Sequence, residues 1–114
     1  MTGIIDAVTD DGLGWYGVRC VFRWNDREHR PYEERITLWR AASAAQAIEL
    51  AEREGRDYAR DNRFEQLNFA QAYSLSEDRI TQGTEVFSLL RDSELKPDAY
   101  LDNYFDTGGE HQAR

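Results

Sequence analysis

Trp15-Tyr16-Gly17-Val18-Arg19-Cys20-Val21-Phe22-Arg23-Trp24 alternates along its whole length. Successive side chains of an extended chain point to opposite sides. Tyr16, Val18, Cys20, Phe22 and Trp24 therefore share one face, and Trp15, Gly17, Arg19, Val21 and Arg23 the other. This reads as a strand with an apolar face and a mixed face, around which a sheet must be built. Asn25 to Pro31, next along the chain, is charged and ends in a proline, which has no amide hydrogen for a central ladder. It reads as a hairpin connection. Tyr32 to Ala41 follows as a second strand, with Ile36 and Leu38 alternating against Glu33, Arg35, Thr37 and Trp39.

Ser43 followed by Gln46 has capping-box spacing, in which the serine oxygen accepts from an early helix amide and the glutamine reaches back to the amide of the cap. Behind it Ala44, Ala47, Ile48, Ala51, Tyr58 and Ala59 recur at three and four, one apolar stripe, with Glu49 and Arg53, and Glu52 and Arg56, paired on the wet side. Gly55 lies on the stripe; it costs about 1 kcal/mol against alanine in a helix but permits close approach to a sheet. Asp61 and Asn62 end the helix. Leu67, Phe69, Gln71, Tyr73 and Leu75 alternate with Asn68, Ala70, Ala72 and Ser74, a third strand with a large face and a small one. After a turn over Ser76 to Gly83, Thr84 to Arg91 predicts a fourth strand through Val86, Phe87, Leu89 and Leu90. Pro97 opens a short terminal helix carrying Tyr100, Leu101, Tyr104 and Phe105.

The expected architecture is α+β, in the order β-β-α-β-β-α: a four-stranded, mainly antiparallel sheet with one long helix on one face and a short helix at the end. At 114 residues the chain is one domain, spanning 14–106, with a loosely ordered arm over 1–13 and a flexible tail over 107–114. One helix covers one face. On the other, Trp15, Val21 and Trp39 are large apolar groups that cost free energy if left in water. The terminal helix, through Tyr100, Tyr104 and Phe105, or a second copy of the chain are the candidates to cover them.

Cys20 is alone, which excludes an internal disulfide and fits a reducing compartment. The first residues carry Asp6, Asp10 and Asp11 without a basic flank or an apolar run of secretory length, so a cytoplasmic location is expected. No stretch approaches the roughly 20 apolar residues that cross a bilayer. The net charge of −8 repels phosphate backbones and anionic membranes, so neither nucleic acid nor a membrane is an expected partner. Six arginines between residues 19 and 40 stand against Asp26, Glu28, Glu33 and Glu34, a net of only +2, while Asp92, Glu94, Asp98, Asp102, Asp106 and Glu110 crowd the end. That split can hold one part of the fold, or one copy, against another.

Trp15-Tyr16-Gly17-Val18, Tyr32-Glu33-Glu34-Arg35-Ile36 and Gly83-Thr84-Glu85-Val86-Phe87-Ser88 together resemble the domain-of-unknown-function 4288 family of short bacterial proteins. The resemblance covers roughly residues 14 to 106. It implies a small cytoplasmic bacterial protein and brings no activity, cofactor or catalytic residue with it.

The residues themselves point to no catalytic group, cofactor or metal. Cys20 and His29 are the nearest thing to a thiol with a base, but Cys20 lies on the face that meets the helix, where a thiol is buried and its pKa raised. His29, Glu33 and Glu34 could be imagined as metal ligands, but consecutive glutamates of a strand point to opposite faces, so one of the two is lost to the site, and a solvated hairpin loop is the expected reading. Asp98 and Asp102 lie one helical turn apart with no apolar shelter to separate their pKa values. His111 falls in the tail. The expected function is a non-enzymatic interaction or binding module that self-associates as a homodimer, or binds another protein such as a toxin. The alternative is a small-molecule-binding protein or small enzyme with a pocket between the sheet and the terminal helix.

Overall fold

In a computed structural model that describes residues 12–25, 28, 30–75 and 79–105, the alternating stretch is the central strand β1 (Gly14–Arg23). It pairs antiparallel with β2 (Tyr32–Ala41) on one side and β3 (Glu65–Ser74) on the other, giving a three-stranded sheet in the order β2-β1-β3 among the described residues. Two helices complete an α+β fold: α1 (Ala44–Asn62), between β2 and β3, and the short α2 (Pro97–Tyr104). The expected arm, apart from Gly12 and Leu13, and the expected tail lie outside the described residues.

The α1 start is held by Ser43, whose Oγ accepts from the Gln46 amide at 3.1 Å. Gln46 reaches back 2.6 Å to the amide of Ala42, one residue before the amide that the capping-box pattern predicts. At the other end Arg63 adopts a left-handed conformation, φ 60°, and its amide reaches the last carbonyls of the helix. The buried stripe Ala47, Ala51, Gly55 and Ala59 seats on Tyr16, Val18, Cys20 and Phe22 of β1, with the small side of β3, Ala70 and Ala72, beside them. Small residues on both elements bring backbones together, and Tyr16 and Phe22 fill the remaining space. Gly55 is part of that approach, since a methyl there would stand 3.3 Å from Phe22 Cζ.

The register of β2 corrects one expectation. Tyr16 pairs with Trp39, Val18 with Thr37, Cys20 with Arg35 and Phe22 with Glu33. Directly paired residues share a face, so Trp39 lies on the α1 side, half-buried against the core, its indole N–H donating to Thr37 Oγ1 at 2.6 Å. Ile36 and Leu38 face the other way. The pairing of Arg23 with Tyr32 fixes this parity, and polar groups turned toward the helix find partners there. Arg35 makes two bonds to the Glu54 carboxylate, at 2.7 and 2.8 Å. Glu33 accepts from the Tyr58 hydroxyl at 2.7 Å and from the Trp24 indole at 3.2 Å.

Residues 84–91, where alternation predicts a fourth strand, pair with no strand among the described residues. They cross the second face of the sheet instead. The Val86 carbonyl oxygen lies 3.4 Å from where a Cβ on Gly17 would stand, and Phe87 meets Tyr73 edge-on at 4.9 Å. Beneath them Leu75 is only 3% exposed. A flat sheet extended by a fourth strand would leave Tyr73 and Leu75 in water; crossing over Gly17 covers them.

Candidate interaction surface

The pleat sets which side chains reach the second face. From β1 it presents Trp15, Arg19, Val21 and Arg23, and from β2 Tyr32, Glu34, Ile36, Leu38 and Arg40. Trp15 and Val21 are half-buried there, with the Arg40 guanidinium 6.0 Å from the Trp15 ring. Their companion is not Trp39. The apolar groups left in water come from β2: Tyr32, Ile36 and Leu38, at 62, 44 and 38% exposed. Gly17, Tyr73 and Leu75 lie under residues 84–91, so the chain covers part of the face and leaves the β2 part open.

The cover is loose. Val86, Phe87 and Leu89 stay exposed, and Leu90 projects wholly into solvent. Pro97 starts α2 and the Phe105 amide bonds to the Leu101 carbonyl at its end. This helix buries no side chain and makes no close backbone approach to the other described elements. Tyr100 and Tyr104, one turn apart, hold their rings 4.8 Å from each other, and Phe105 follows at 6.0 Å from Tyr100. Tyr104, Leu101 and Phe105 remain exposed, so the terminal helix, one of the two candidates to cover the face, does not bury its aromatics there.

Between sheet and terminal segment runs an open groove of about 410 Å³. Arg19, Glu34 and Ile36 form its floor, and Phe87, Leu89, Arg91, Tyr104 and Phe105 its walls. Arg19 is neutralised by Glu34, its Nε 3.0 Å from Oε1, and also donates toward the Tyr73 hydroxyl. Arg91 is held differently. Its guanidinium lies 4.0 Å from the centre of the Tyr104 ring and donates to the Tyr100 hydroxyl at 2.8 Å.

On the other face the titratable groups are packed against α1. Cys20 is buried beneath α1, and burial pushes its thiol pKa up, with Glu52 and Glu54 adding to the effect. Burial, then the hydrogen bond to Glu33, push Tyr58 up to about 12. Among the described residues no three of His, Cys, Asp and Glu gather as metal ligands, and no helix is long and apolar enough to cross a membrane. His29 and His111 lie outside the described residues. No protein-family profile matches the chain, and no curated protein or solved structure matches it.

Sequence reasoning missed Tyr32, Ile36 and Leu38 as surface residues, and Leu89 and Arg91 as groove walls. A signal for the first three is in the chain: Glu33 and Arg35 have complementary groups, Tyr58 and Glu54, on the apolar stripe of α1 and beside it. For Leu89 and Arg91 alternation gives none, because it specifies an extended chain without saying whether that chain pairs at an edge or lies across a face.

Proposed function

We propose that this chain is a non-enzymatic protein-interaction module that self-associates through the second face of its sheet, working in a reducing compartment such as the cytoplasm. The observation that supports it is the meeting of Ile36 of β2, Leu89 of the crossing segment and Phe105 after α2 around one open groove. Each is 44% exposed or more. Apolar area of this kind returns about 25 cal/mol per Å² when removed from water, and a second copy supplies a matching surface by symmetry. The resemblance of residues 14–106 to the domain-of-unknown-function 4288 family belongs to this reading and adds a bacterial source, with no residue role.

Gel filtration with light scattering tests it. The chain should run as a dimer at micromolar loading, and Ile36→Glu as a folded monomer. Trp39→Arg, which strikes the α1 side, should lose the fold rather than the dimer alone. A wild-type chain of monomer mass at every loading contradicts the proposal. A second reading, a small-molecule site, draws on the groove itself, whose volume of about 410 Å³ falls among ligand pockets of roughly 300–1,000 Å³. Under that reading a metabolite library should contain compounds that raise the melting temperature by mass action.

A further inference from the structure

Arg91 is a guanidinium fixed in place by neutral partners. The Tyr100 hydroxyl takes one of its N–H groups and the Tyr104 ring supports its plane. Among the described residues no carboxylate lies within ion-pair distance of it. A planar fork held in this way keeps donors available for a carboxylate, and the apolar walls of the groove strengthen such a bond by thinning the water around it. The same terminal segment carries acids in the same condition. Asp98 and Asp102 stand one turn apart on α2, a helix that buries nothing, and neither forms an ion pair with a described residue. Their neighbours Leu101 and Phe105 are more than half exposed.

We propose that Arg91 is the charged anchor of the dimer and receives a carboxylate, Asp98 or Asp102, from α2 of the second copy. The inference rests on the self-association reading. What selects a second copy as occupant is charge complementarity: among the described residues the groove holds a cation without a counter-ion, and the helix at its rim holds acids without one. A two-fold axis between two α2 helices makes the contact reciprocal, because in an isologous interface what one copy offers the other returns. It also brings Leu101 and Phe105 of each copy toward the exposed apolar strip of its partner.

Sedimentation of charge-reversed variants tests this, with circular dichroism confirming that each stays folded; all three positions are exposed. Arg91→Glu should weaken the dimer at least about tenfold, as should Asp98→Arg with Asp102→Arg. The triple variant should return to within a few-fold of wild type. If the wild type dimerises and the reversals leave its dissociation constant unchanged, or if the triple variant fails to recover, the Arg91 pairing is wrong while self-association stands. A monomeric wild type overturns both. If that monomer is stabilised by 3-phenylpropionate but not by its amide, a small carboxylate is the occupant.

Discussion

Tyr58 carries two loads, and its titration shows both. Its ring packs edge-on against Phe22 and Phe64 while Arg35 stacks over it at 3.9 Å, and its hydroxyl donates to Glu33. Burial disfavours the ionised hydroxyl, and its hydrogen bond to the Glu33 carboxylate disfavours it further, so its pKa rises to about 12 from 10.0. An unfolded chain loses this proton first as pH rises, so the stabilisation is complete below pH 10, declines above it and is gone above about pH 12. Absorbance titration near 295 nm should show a late component that is absent in Tyr58→Phe. Glu33→Gln should lower that pKa without normalising it, because burial is the larger cause. A Tyr58 that titrates with the rest would contradict the packing. Cys20, raised by burial, should resist alkylation in the native state and react promptly in denaturant.

At the scale of elements, α1 is specified at both ends by single residues. Ser43→Ala removes the oxygen that accepts from Gln46 and should cost about 1 kcal/mol, which in a domain of this size lowers the melting temperature by about 4 °C. Arg63→Gly relieves a left-handed residue and should stabilise by about 0.5–1 kcal/mol. Thermal unfolding checks both signs. These ends were legible from the chain because caps depend on local chemistry: Ser43, Gln46 and Asn62 announce them within a few residues. The first three strands were legible through alternation, and the small face of β3, with Ala70 and Ala72, is the one that packs against α1. Which face of β2 turns inward was not legible from alternation alone, because it depends on the parity of the register closed by Arg23 and Tyr32. Ile36 and Leu38 are the more apolar set, and hydrophobicity alone sends them to the core. The ion pair of Arg35 with Glu54 and the bond from Tyr58 to Glu33 make the opposite choice stable. Residues 84–91 read as a strand for a related reason: Val86, Phe87 and Leu89 suit any extended chain near apolar surface, and the vacancy above Gly17 that draws them across the sheet is a property of the folded layer.

The whole molecule is asymmetric about its sheet. On one side α1 closes a small, well-packed core whose largest fully buried side chains are Tyr16, Phe22 and Val18. On the other, residues 84–91 cover Gly17 and Leu75 but leave Tyr32, Ile36, Leu38, Leu101 and Phe105 in water. A large residue at Gly17 should lift the crossing segment from the sheet. Gly17→Phe should therefore increase binding of an apolar fluorescent dye while α1 and its core persist by circular dichroism. The proposed self-association draws on the same asymmetry, since a second copy would bury the uncovered half of the face. Sedimentation equilibrium from about 1 to 200 µM is the most direct test. The apparent mass should climb from 13.3 kDa toward twice that value as concentration rises, and stay near the monomer for Ile36→Glu. A mass fixed at 13.3 kDa across the range would contradict self-association.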